Sequence, residues 1–414
     1  MSRRLVLILA VTCAVAVGNL YFPQAVGPLI AAGLGVPADE AALVVTATQI
    51  GYTAGMVLLV PLGDRIRHRP LLVVLLSLTG LALLGAGCAP ALPPLVAASA
   101  LVGLTTVAAQ IIGPLAAGLV APDRRGVVLG TLLSGSTGGM LLARAFSGVL
   151  GEWLGWRAPY LVASVVALVL AAVLRHAVPD TAPDASAARR PYGAFLAEPL
   201  RLLRAEPELR RSCFYQAAAF GGFSAVWTSL ALLLTGPVYG MGAQALGLLA
   251  LVGGVTMLCT PLAGRLVDRH GPDLVSLVSL IGILVAAAVL AAGGLGGAAG
   301  LAALTVGTLL MDTAMQSGSV ANQSRVYALR PDARSRLNTA YMACAYSGGT
   351  AGSWLGVRAH TWCGWPGVCA LLGLLACAAL LRHVVARRGR PGTTVRPYAQ
   401  PASRAAGEGG EGGP

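Results

Sequence analysis

The sequence predicts an all-α membrane protein, with twelve transmembrane helices in two six-helix pseudo-symmetric bundles. Three observations carry this. Of 414 residues, 56% are hydrophobic and only 11% charged, against roughly 25% charged in soluble domains. Apolar segments of spanning length, about 20 residues, recur along the whole chain. A short charged phrase also occurs twice, each time between two apolar runs. It stands as Val60-Pro-Leu-Gly-Asp-Arg-Ile-Arg-His-Arg69 and again as Gly264-Arg-Leu-Val-Asp-Arg-His-Gly271. Repetition at that distance predicts two related halves.

Taken in order, the spans fall near 5–31, 41–62, 70–89, 95–120, 126–150 and 158–175, then 211–235, 244–264, 273–293, 297–324, 336–360 and 366–383. The first follows Met1-Ser-Arg-Arg4 and has the look of a signal peptide. Its apolar run continues past a cleavable length and offers no small-residue cleavage site, so it is read as an uncleaved helix. The stretch 176–210 holds Pro179, Pro183, Pro191, Pro199 and Pro207 among charges of both signs, which predicts a linker. The expected division is therefore a first bundle over 1–175, a cytoplasmic linker over 176–210, a second bundle over 211–383 and a disordered tail over 384–414.

Orientation follows from the basic residues. All are arginine, and the net charge is +13. The loops after helices 2, 4, 8 and 10 carry Arg65, Arg67, Arg69, Arg124, Arg125, Arg265, Arg269, Arg330 and Arg334; the opposite loops hold little beyond Arg157. Positive loops stay inside, so both termini and the linker are expected in the cytoplasm. A second repeat supports the halves. Pro122-Asp-Arg-Arg125 precedes helix 5, which contains Gly138-Gly139 and ends at Gly155-Trp156. Pro331-Asp-Ala-Arg334 precedes helix 11, which contains Gly348-Gly349 and ends at Gly364-Trp365.

Several functions are excluded. The positive charge is scattered over short loops rather than gathered on one face, which argues against nucleic acid. The five histidines stand near helix ends or loops, away from cysteine or carboxylate at metal-ligand spacing, so no metal is expected. No cofactor is expected, and no P-loop for ATP is present. The eight cysteines are scattered, mostly within apolar runs, and are read as small buried apolar residues. A polytopic membrane enzyme or sensor would need a catalytic cluster at one face or a signalling domain, and neither is found.

Two charges stand inside predicted spans. A charge at the bilayer centre costs roughly 2.5–3.5 kcal/mol or more, so each must face a cavity or a partner. Arg144 lies in helix 5. Asp312 lies in helix 10 and heads a polar stripe through Gln316, Ser319 and Gln323, spaced as one helix face. Asp312 is expected to be the protonation switch, and Arg144 a charge that senses it or binds an anionic group. A structural polar contact is the alternative for both.

The chain resembles major facilitator superfamily transporters over nearly its whole length. The loop motif of that superfamily, G-x-L-A-D-R-x-G-R-K, is matched by Gly264, Leu266, Asp268, Arg269 and Gly271. The first copy keeps Leu62, Asp64, Arg65 and Arg69, with Val60 and Arg67 where the family has glycines. Asn19-Leu-Tyr-Phe-Pro-Gln24 and Pro61-Leu-Gly-Asp-Arg65 resemble a bacterial group taken to be proton-driven exporters. Helix 5 keeps small residues of the exporter motif at Gly135, Gly139, Ala143, Ser147 and Gly148, with Arg144 in place of its proline. Helix 4 has Ser99 near the position of the arginine found in many proton-coupled members.

The resemblance implies alternating access in a bacterial cell membrane, with export of a small drug or metabolite against protons; uptake of a nutrient is the alternative. The implied partners are a small-molecule substrate, protons and the lipid bilayer, with the chain a monomer. Asp64, Arg65, Arg69, Asp268 and Arg269 are expected to form a conformational latch, a simple topogenic cluster being the alternative. Candidate cavity residues are Asn19, Tyr21, Gln24, Gln49, Tyr52, Gln110, Tyr215, Gln216, Trp227, Gln316, Gln323, Asn338 and Tyr341. For each, an interhelical hydrogen bond is the alternative role.

Overall fold

The computed structural model describes residues 2–120, 125–180, 192–330 and 334–388. All the described regular structure is helical. Among the described residues, ten stretches are long and apolar enough to cross a membrane. Leu78, Leu81, Val165 and Leu374 stand exposed on helix surfaces, as hydrocarbon-facing positions require.

The sequence explains where the helices start and break. Helix α1 (Arg3–Tyr21) opens on Ser2, whose hydroxyl accepts from the Leu5 amide. It breaks at Pro23, which has no N–H to continue it, and α2 (Pro23–Leu34) follows. A single turn, α3 (Ala38–Ala41), leads into α4 (Leu43–Leu58) and a 3-10 segment over Val60–Asp64. Then come α5 (His68–Gly87), α6 (Leu92–Thr105), α7 (Ala108–Gly118), α8 (Arg125–Leu154) and α9 (Arg157–Ala177).

The expected linker is partly ordered. Residues Tyr192–Ala205 form helix α10, and α11 (Pro207–Thr235) begins at Pro207 rather than 211, with proline at a first-turn position that lacks a partner anyway. The eighth expected span is broken into α12 (Gln244–Gly253), a 3-10 segment and α13 (Cys259–His270). After α14 (Pro272–Ala291) and α15 (Gly297–Leu329), the last two expected spans run through one helical stretch, α16 (Arg334–Arg388). It is interrupted at Gly364, with φ +64°. Gly155, between α8 and α9, has φ +84°. The repeated Gly-Trp pairs thus mark two left-handed turns that favour glycine. The helix runs on through Arg388, past the expected start of the tail; residues 389–414 lie outside the described residues.

Packing repeats as the sequence does. In the N-terminal half α1 packs on α8; in the C-terminal half α11 packs on α16. A Cβ on Gly139 would lie 2.1 Å from the Ala14 carbonyl oxygen, and one on Gly352 would lie 1.9 Å from that of Gly221. Glycine lets both pairs of backbones touch. The halves meet where α8 lies on α12, α4 on α16 and α2 on α11.

The C-terminal half carries a charge cluster. Asp273, in the first turn of α14, accepts from Arg211 at 2.8 Å and from Arg325 at 2.9 Å. Glu208, Tyr215 and His383 lie against Arg211, and Asn322 and Ser276 against Arg325. One carboxylate thus joins α11, α14 and α15, and Arg211 carries the contact on to His383 of α16. Asp273→Asn is therefore expected to destabilise the protein by about 2 kcal/mol. That is below the 3–5 kcal/mol of a fully buried pair, because the Asp273 side chain is 37% exposed. A thermal melt in detergent checks this, and an unchanged midpoint would contradict it.

Candidate functional site

Arg144 sits deep in α8 and is completely buried. Its Nε donates to Gln24 Oε1 at 2.9 Å. Its guanidinium carbon lies 4.3 Å from the ring centroid of Trp227, 4.9 Å from that of Tyr21 and 5.7 Å from that of Phe223. The two terminal amino groups have no hydrogen-bond partner among the described residues. Cation–π attraction contributes about 2 kcal/mol at a desolvated site. Desolvating the ion costs several kcal/mol, so aromatic faces alone do not compensate this charge.

The acid facing this site is Asp312, on α15 and 5% exposed, whose charge acts on Arg144. Its Oδ1 accepts from Trp227 Nε1 at 3.3 Å. Among the described residues it makes no direct ion pair with Arg144. Trp227 stands between them, offering its face to the cation and its N–H to the carboxylate. A base from one half and an acid from the other are thereby joined through one side chain. Trp227→Phe keeps a ring and removes the donor. A hydrogen bond to a charged group contributes roughly 1.5–3 kcal/mol, so transport is expected to slow about ten-fold. Trp362→Phe, at an exposed position, serves as the control, and equal loss in both would contradict the assignment.

A cavity of about 610 Å³ opens at the arginine-rich end, lined by Met56, Gln110, Pro114, Tyr327, Arg336 and Asn338 among others. Contacts lead from it to Arg144. Gln110 donates to the Tyr52 hydroxyl at 3.1 Å, and the Tyr52 ring lies 4.5 Å from Tyr346. Tyr346 meets Tyr21, which faces Arg144. At the opposite end the halves are closed. Glu152 accepts from the Ala243 amide at 2.8 Å, and a Cβ on Gly247 would lie 2.5 Å from Ala145 Cα. Gln49 donates across the halves to Ser224 at 2.8 Å.

The family model described as Major Facilitator Superfamily matches residues 7–328. The chain belongs to the major facilitator superfamily. It is a secondary transporter and not an enzyme. Superfamily membership is echoed by the uncharacterized transporter YgaY of Escherichia coli K12, 33% identical over 384 residues, 92% of this chain and 95% of that one. A chloramphenicol resistance protein of Streptomyces lividans is 28% identical over 265 residues, 60% of this chain and 63% of its own. The fold is similar to that of the nucleoside transporter NupG, with TM-score 0.74 and 12% identity, over 93% of this chain and 99% of that one.

Against the superfamily's motifs, the predicted residues separate into groups. Arg144, Asp312, Trp227, Tyr21 and Gln24 come together. Tyr52, Gln110 and Asn338 stand at or beside the cavity, where Asn338 accepts from Tyr327 at 2.9 Å. Tyr215 is tied into the charge cluster, and Gln216 accepts from Tyr341 at 2.8 Å. Asn19 donates to Thr106 within the N-terminal half. Gln323 bonds Ser319 on its own helix, and Gln316 is half-buried.

The superfamily loop motif departs most from expectation. Asp268 and Arg269 are not in a loop. They end α13, exposed, with no ion pair among the described residues. The carboxylate at the following helix start is Asp273 instead, which sequence reasoning missed together with Arg211 and Arg325. Their one signal was charge at the edge of apolar runs, the same signal that a topogenic arginine gives. Arg65 lies 5.9 Å over the Tyr192 ring, and Arg69 is half-buried. The Asp64 side chain lies outside the described residues, as do Pro122 to Arg124 and Pro331 to Ala333.

Proposed function

We propose that this chain couples proton movement to transport of a small organic molecule, with Asp312 carrying the proton and Arg144 responding to its charge. One observation carries the reading: a buried acid and a buried base, contributed by opposite halves, meet on Trp227. In this reading the halves are two six-helix bundles, 1–175 and 211–383, that rock about the site. The arginine-rich end is cytoplasmic, in a bacterial cell membrane, and the conformation described above is the inward-facing one. Protonation of Asp312 withdraws the counter-charge of Arg144, which changes the relative stability of the two conformations.

Two directions use the same site. Export of a drug or metabolite in exchange for protons is favoured by the relative named as a chloramphenicol resistance protein. Uptake together with protons is favoured by the unfilled amino groups of Arg144. The reading is tested in vesicles containing the purified protein, with an imposed pH gradient and a panel of labelled solutes. Gradient-dependent accumulation of a solute is expected. Movement that ignores the gradient would overturn proton coupling.

A further inference from the structure

We infer that the transported molecule is an organic anion, a carboxylate or sulfonate whose oxygens are held by the two terminal amino groups of Arg144. This rests on the reading of Arg144, Trp227 and Asp312 as the transport site, and it selects between the two directions. Three observations meet here. The first is the guanidinium itself, fully buried with both amino groups unfilled. Those groups form a planar fork that matches two oxygens, and leaving such donors buried and empty is costly. The second is the surround. Tyr21, Phe223 and Trp227 present apolar faces to the cation, which suits the carbon skeleton of an organic ion better than a hydrated inorganic one. Gln24, already accepting from Nε, keeps its own Nε2 unpaired, a further donor for the ligand. The third is the route. Among the described residues lining the cavity there are His68 and Arg336, the latter paired with Glu198, and no carboxylate.

The sign of the proton linkage follows. Ionised Asp312 offsets the charge of Arg144 and repels an anion. Neutral Asp312 leaves the cation uncompensated, and an anion then supplies the missing charge. Proton and anion therefore load together and cross in the same direction, so an inward proton gradient drives uptake. Among the described residues, the groups that face this pair are few. Asp312 meets Trp227 from α11 and Gly253 from α12. Tyr21 lies behind Arg144, with Tyr346 and Tyr52 beyond it. Cys259 lies against Thr313, next to Asp312.

The test uses probes whose own charge does not change with pH. Benzenesulfonate, benzenesulfonamide and benzyltrimethylammonium are titrated calorimetrically into the full chain in lipid nanodiscs. Benzenesulfonate is expected to bind at least about ten-fold tighter than the other two. Its affinity should rise as the pH is lowered, by at most about ten-fold per unit, with proton uptake. Asp312→Asn, neutral at every pH, should bind it tightly and without pH dependence. Arg144→Gln should lose binding, and Arg144→Lys, which keeps charge but not the fork, should fall between. Benzenesulfonate binding no better than the amide or the cation, or binding abolished by Asp312→Asn, would overturn the inference. If solutes still accumulate with the pH gradient in that case, the anion assignment fails alone. If none does, the transport-site reading fails with it.

Discussion

Asp312→Asn is expected to carry its substrate downhill at a measurable rate and to concentrate none of it. One pH unit is worth about 1.4 kcal/mol per proton, so the wild type should reach about ten-fold accumulation per unit at one proton per molecule. The variant should stop at equal concentrations. Asparagine preserves the shape and can still accept from Trp227, which bonds the native carboxylate at 3.3 Å. It cannot gain or lose a proton, so the charge opposite Arg144 no longer follows pH. Asp312→Glu, which titrates, should recover part of the accumulation. Vesicles with an imposed gradient separate the cases. Uphill transport with ordinary pH dependence in Asp312→Asn would remove Asp312 from the mechanism.

Gly247→Leu is expected to fold and to stop the cycle. An ideal Cβ at Gly247 would stand 2.5 Å from Ala145 Cα and 3.0 Å from the Arg144 carbonyl oxygen. Both are backbone atoms of the other half and cannot rotate aside. Overpacking of this kind costs about 1–3 kcal/mol, enough to shift a conformational equilibrium roughly five- to 150-fold. The atoms nearest that Cβ all belong to the other half, so opening the end closed here relieves the strain. Spin labels at Trp153 and Val238, both exposed near that end, should move apart, and transport should fall to background. An unchanged distance distribution with normal transport would contradict this.

Most of the helical layout was legible from the sequence, because spanning lengths and loop arginines are coarse signals that few residues can spoil. The breaks were less so. The break in the first span stands at a proline, Pro23, whereas the division of the eighth span into α12, a 3-10 turn and α13 has no proline at its first break. The central site was half legible. Arg144 and Asp312 stood out because isolated charges are rare in apolar segments. Their meeting through Trp227 depends on how α8, α11 and α15 are rotated, and hydropathy does not encode rotation. The cluster at Asp273 was missed for a related reason. Arg211 and Arg325 stand at helix ends, where a basic residue is unremarkable, and only three-dimensional packing gathers them on one carboxylate. The repeated loop phrase pointed to kinship between the halves. Asp268 of its second copy stands exposed at the end of α13 rather than in a loop.

Helix α10 touches both halves. Its Tyr192 hydroxyl donates to the Leu58 carbonyl at the end of α4, and its Glu198 pairs with Arg336 at the start of α16. Between those two points the chain is a helical rod, rising about 1.5 Å per residue, rather than slack string. A rod can swivel on its anchors, but it can neither stretch nor crumple. The connection between the halves therefore acts as a spacer bar. Any stroke that brings the ends of α4 and α16 together must first release one of its two pins.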